Sequence, residues 1–152
     1  MYKGGDYVIC KSGGVWKIIE EDLDFFKLKD YVKGLEKIIP INNNEIIRKI
    51  CSKETIEEAI DRVGFIQTLK APNDKTRKEI YDTVMAEYDE ISWIKIIKTI
   101  YIREKDHRLM TNELEYSKKA KEYFHSEVAI LLNMDYKDVE KHISDKVSSD
   151  SW

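Results

Sequence analysis

Adjacent glycines at 13 and 14 separate two runs rich in β-branched and aromatic residues, Tyr7-Val8-Ile9-Cys10 and Val15-Trp16-Lys17-Ile18-Ile19. Glycine enters the positive-φ region without steric cost, so two such runs joined by a glycine pair predict a β-hairpin. The chain therefore opens as sheet. From Ser52 onward the apolar residues recur at helical spacing instead. A β module followed by a helical module is the organisation that every later reading has to fit.

Within the first module, strands are predicted over about 6–11, 15–21, 24–30 and 35–41, with 46–50 as a short fifth. Pro40 cannot donate to a ladder, which places its strand at an edge or a bulge. Asn42-Asn43-Asn44 is a turn before the last strand. Five short, mostly hairpin-linked strands predict a small SH3- or Tudor-like β-barrel over residues 1–51. The fold class is α+β, with a five-helix domain over 52–152.

Ser52 is a predicted N-cap, with Glu54 in the first turn and Gly64 as the stop of a helix that carries Ile56, Ile60 and Val63 on one face. Pro72 and Asn73 open a second helix over about 74–88, with Ile80, Tyr81, Val84, Met85 and Tyr88 as its apolar stripe. Asp89 starts a third over about 90–105, isoleucine-rich around Trp93, Ile97, Ile100 and Tyr101. Thr111 caps a fourth that runs to about 133, with Ala120, Tyr123, Phe124, Val128, Leu131 and Leu132 turned inward. Asp135 and Asp138 start a short fifth helix, and 144–152 reads as a polar, frayed tail.

Charge narrows the function classes. Residues 1–50 hold 9 Lys+Arg against 8 Asp+Glu, a net of +1; with 26 and 29 in the whole chain, the remainder holds 17 against 21, a net of −4. The protein is thus no polybasic nucleic-acid binder, and any DNA contact must come from local patches. Lysines outnumber arginines 21 to 5, which favours point-charge phosphate contacts over bidentate reading of guanine. No run approaches the roughly 18 apolar residues a membrane helix needs. The polar start Lys3-Gly4-Gly5-Asp6 is unlike a signal peptide, and a cytoplasmic location is the expectation. Cys10 and Cys51 form no CxxC pattern and read as small hydrophobes.

Catalytic patterns are missing. There is no nucleophile elbow, phosphate-binding loop or dinucleotide fingerprint, so the chain reads as non-enzymatic and free of cofactors. Glu104…His107 and Glu122…His125 have the Glu-x-x-His spacing of di-iron bundles, but the long helices such sites need are not available, and no metal is expected. Basic residues cluster at Lys75, Arg77 and Lys78; at Lys95 and Lys98; at Arg103, Lys105 and Arg108; and at Lys118, Lys119 and Lys121. Acids interleave with them, so each cluster reads as a solvated face or a phosphate-tracking patch. Trp93 reads as core, and Trp16, beside the glycine turn, as the exposed aromatic.

Several stretches in order resemble a known family. Gly5-Asp6-x-Val8-Ile9 followed by Gly14-Val15-x-Lys17-Ile18 resembles the start of the CarD/CdnL family of bacterial transcription regulators, the domain shared with the transcription-repair coupling factor. Ile38-Ile39-Pro40, Arg48 and Ser52-x-Glu54 are similar to the family's domain junction, and Ala120-Lys121…Phe124-x-x-Glu127-Val128-Ala129 to its helical signature. The resemblance spans about 2–140. It implies a Tudor-like domain that docks on the RNA polymerase β subunit through a strand, here Leu35, Glu36, Lys37, Ile38 and Ile39. It also implies a helical domain that touches promoter DNA and modulates open-complex stability, through Lys75, Arg77, Lys78, Arg103, Lys119 and Lys121. The family's basic strand residue falls on Ile38, leaving Lys37 or an apolar contact in its place, and the family's DNA-wedging tryptophan falls on Asp74. An acid there, with the net −4, leaves open an alternative: a polymerase-bound adaptor whose helical domain takes a protein partner rather than DNA.

Overall fold

The computed structural model describes residues 2–147 and Trp152. The chain folds as two compact units, 1–51 and 52–152. The first is an antiparallel sheet of β1 (Tyr7–Cys10), β2 (Val15–Glu21), β3 (Phe25–Asp30), β4 (Glu36–Pro40) and β5 (Ile46–Lys49), in the order β4-β3-β2-β1-β5. Gly13 and Gly14 make the first turn at φ 129° and 80°, where a side chain would be strained. Bulges at Ile19 in β2, and at Ile47 in β5 opposite Ile9–Cys10 of β1, break the register and bend the sheet. Val8, Cys10, Trp16, Ile18, Phe26 and Leu28 form its core, and Ile39 and Ile46, from the opposite edge strands, pack on the same side. The expected barrel is an unclosed sheet: β4 and β5 are edges, each paired with one neighbour.

The second unit comprises α1 (Lys53–Arg62), α2 (Asp74–Met85), α3 (Glu90–Lys105), α4 (Glu113–Leu131) and α5 (Val139–Lys146). Ser52, Asn73 and Asp89 cap α1, α2 and α3, each side chain accepting the backbone N–H three residues on. α3 is apolar on most sides, burying Trp93, Ile94, Ile96, Ile97 and Ile100, and so is the central helix, packed against α1, α2 and α4. Trp93 stacks on Tyr123 of α4 with centroids 4.9 Å apart.

Five sequence expectations change here. Gly64 does not stop α1 in a left-handed cap; the chain runs on as a 3-10 turn, Val63–Phe65. The carbonyls of Val63 and Ile66 in this turn also accept from Lys98 Nζ, at 2.9 and 2.6 Å. Lys98 is consequently interior, its pKa lowered by burial, and not part of a basic surface. α2 ends at Met85, and Tyr88 lies beyond it at φ 53°. The start of α4 is not set by Thr111 but by Asn112 at φ 65°, with no side-chain cap bond. The tail expected to fray ends in a buried Trp152, whose ring lies 6.0 Å from those of Phe124 and His125; residues 148–151 lie outside the described residues.

Candidate functional site

Two features stand out, one in each unit. In the sheet, β4 pairs only with β3, and Asp30 N–H donates to Leu35 O while Ile41 N–H donates to Asp24 O. Antiparallel alternation then directs the backbone groups of Lys37 and Ile39 toward β3 and those of Glu36, Ile38 and Pro40 to the open edge. Pro40, with no N–H, stands where its missing donor costs no ladder bond. Side chains alternate in step along β4: Lys37 and Ile39 are half-buried, while Glu36, Ile38 and Pro40 are exposed, Ile38 by 64%; Leu35, just before the strand, is 60% exposed. Glu36 is exposed and pairs with Lys27 at 3.3 Å.

Lys37 is already committed. Its Nζ donates to Ser12 Oγ at 3.2 Å and sits 4.2 Å from the Trp16 ring centroid. The exposed contact in the middle of the strand is therefore the apolar Ile38. Trp16, expected at the surface, is 9% exposed, with Nε1 donating to Gly13 O at 2.8 Å. The sheet's curl and the Lys37 stem cover it, neither of which is legible locally.

In the helical unit, a cavity of about 320 Å³ is lined by Lys70, Arg77, Arg103 and Arg108, with Asp106 and Thr99. Three of the chain's five arginines thus converge from α2, the end of α3 and the loop after it. Thr99 pins the facing loop by accepting from Leu69 N–H at 2.8 Å. The Glu113 side chain is fully buried, and both its oxygens are spent. Oε2 accepts from Tyr81 O–H at 2.5 Å and Arg103 Nε at 2.7 Å; Oε1 accepts from Arg103 Nη2 at 3.2 Å and Met110 N–H at 2.9 Å. Burial would raise the Glu113 pKa, but the hydrogen bonds from Arg103 and Tyr81 outweigh it and hold the carboxyl below its ordinary value. The same bond raises Arg103, and burial followed by Glu113 raises Tyr81.

Arg77 is different. It is 8% exposed, and its hydrogen bonds, both from Nη1, reach neutral acceptors: Leu69 O at 3.3 Å and Tyr81 Oη at 3.5 Å. Nε and Nη2 have no acceptor among the described residues.

Of the residues expected to meet DNA, Arg77 and Arg103 are brought together here. Lys75 and Lys119 are exposed and have no ion-pair partner among the described residues. Lys78 is 3.8 Å from Asp82, and Lys121 is 3.0 Å from Glu140. Asp74 is exposed in the first turn of α2. Phe65, 87% exposed in the 3-10 turn, was not singled out from sequence, since nothing in Gly64-Phe65-Ile66 marks it as outward. Lys70 was also missed; the one sequence signal for the cavity was the choice of arginine, rare in this chain, at 77, 103 and 108. Of the two Glu-x-x-His histidines, His107 is exposed past the end of α3, and His125 is buried. No helix among the described residues is long and apolar enough to cross a membrane. Comparison with known protein families finds none that matches the chain, and comparison with curated proteins finds no relative.

Proposed function

We propose that the protein is a non-enzymatic, CarD-like transcription regulator that docks on the RNA polymerase β subunit by strand addition to β4. The observation that carries this reading is the open β4 edge. Outward Glu36 and Ile38 backbone groups supply main-chain hydrogen bonds, and the exposed Ile38 supplies an apolar side-chain contact beside them. The curved five-stranded sheet with its glycine hairpin suits a Tudor-like module. The helical unit then touches promoter DNA through the exposed Lys75 and Lys119, with the Phe65 ring in place of the family's tryptophan as the apolar wedge. A second reading, an adaptor whose helical unit binds protein, is favoured by the pairing of Lys78, Arg103 and Lys121 with acids and by Asp74 on α2.

Ile38→Pro tests the docking. It removes an outward N–H and spares the β3–β4 ladder, so binding to an isolated polymerase β lobe falls at least tenfold while the fold persists. No association of the unaltered protein with that lobe would sink the reading. Salt-dependent binding to a forked promoter fragment separates DNA contact from the adaptor alternative.

A further inference from the structure

We propose that the arginine cavity of the helical unit is a binding site for the terminal phosphoryl group of a small molecule, such as a nucleotide or inorganic phosphate. This goes beyond polymerase docking and does not depend on it. Lys70, Arg77, Arg103 and Arg108 line one concavity of about 320 Å³, at the lower end of the volumes that hold small ligands. A guanidinium that is 8% exposed, hydrogen-bonded only to a carbonyl and a phenol and 5.9 Å from the Tyr81 ring centroid, leaves its charge without a carboxylate partner among the described residues. Such a buried charge costs free energy that a bound anion would return. Nε and Nη2 of Arg77, both without an acceptor among the described residues, form the fork that matches two oxygens of one anion. Among the described residues no hydrogen bond or ion pair holds the exposed Lys70 and Arg108 side chains, and the backbone N–H groups of Lys70 and Ala71 in the same loop have no acceptor.

Three carboxylates temper the field: Asp106 in the lining, Glu113 behind Arg103, and Asp74, close enough to raise Arg103. Glu113 is consumed by Arg103 and Tyr81, so it fixes the fork of Arg103 without neutralising Arg77. Cations arriving from three chain segments suit a tetrahedral dianion, whose oxygens accept from several directions; a planar carboxylate suits one fork. A terminal phosphate can enter such a recess. An internal phosphodiester, flanked by sugars on both sides and carrying one charge, fits it poorly. No aromatic residue lines the cavity, so the phosphoryl group rather than a base is what it recognises.

The test is a nitrogen-15 NMR titration of the full chain with sodium phosphate against sodium chloride at matched ionic strength, followed by AMP. Phosphate and AMP are expected to move the amides of 69–71 and the side-chain Nε of Arg77, saturably, where chloride does not. Lys70→Glu/Arg108→Glu alters two exposed side chains that have no hydrogen-bond or ion-pair partner among the described residues, and is expected to weaken phosphate binding at least tenfold. Lys75→Glu/Lys119→Glu is expected to leave it unchanged. A 5′-phosphorylated short duplex should compete with phosphate, and the same duplex with 5′-hydroxyl ends should not. Shifts equal to those in chloride, or insensitivity to the Lys70/Arg108 variant, would overturn the proposal. Equal competition by the 5′-hydroxyl duplex would also overturn it, by making the cavity a backbone contact.

Discussion

Glu113→Gln is the sharpest perturbation of the helical unit, because each oxygen of this carboxylate accepts two hydrogen bonds. The amide keeps the shape. In either orientation, however, its NH₂ faces two donors: Tyr81 O–H with Arg103 Nε, or Arg103 Nη2 with Met110 N–H. The change also strips the counter-ion from Arg103, whose side chain is 16% exposed, beside a carboxylate at 0%. Removing one partner of a buried pair costs about 3–5 kcal/mol. Tyr81 can turn its hydroxyl to accept from the amide, which recovers part of this, so a loss of about 3 kcal/mol is expected. For a unit of this size that is a fall in Tm of about 15 °C. Urea unfolding read from the methyl signals of Ile97 and Ile100 on α3 reports this unit by itself. Adding Arg103→Met to Glu113→Gln should restore at least half of the loss, since it removes the orphaned charge. A loss under about 1 kcal/mol, or no rescue by the second change, would refute the view that this network is an obligate buried pair.

Other consequences are open to measurement. Burial pushes the His125 pKa down to about 4, with Glu140 raising and Lys121 lowering it. The unfolded chain then binds the proton first. The stability this group contributes is complete above about pH 6.5 and declines as pH falls through about 4, by about 3 kcal/mol in all. Urea titrations at pH 7 and pH 4 on the protein and on His125→Phe check this, the variant being flatter. Trp152→Ala should cost about 2–3 kcal/mol in the same assay, because it empties the space beside Phe124 and His125. Gly14→Ala meets nothing nearer than 3.6 Å, so its cost is the positive φ alone, about 1 kcal/mol by thermal melting, and Gly14→Asn should cost less.

How much was legible follows the range of the forces involved. Strand limits in the sheet matched expectation to within about two residues because glycine pairs, Asn42–Asn44 and Pro40 act on their own neighbourhoods. Ser52, Asn73 and Asp89 were recognisable as caps for the same reason: each bond spans three residues. Gly64 misled because its local preference for a left-handed stop is overridden from more than 30 residues away, where the Lys98 ammonium holds the carbonyls of Val63 and Ile66 and so favours the 3-10 turn. The α4 start has the same character: Arg103 and Tyr81 bury Glu113 there, and no short-range pattern encodes that. Trp16 lay beside an evident turn, yet only the bend of the sheet brings Lys37 over its ring. The arginine cavity is the extreme case. Arg77, Arg103 and Arg108 each looked like one cation in a mixed-charge run, and only the packing of α2 against α3 makes them a single recess. A function carried by such a recess depends on the helix packing beneath it, so variants of Glu113 and Tyr81 should alter anion binding without touching the anion.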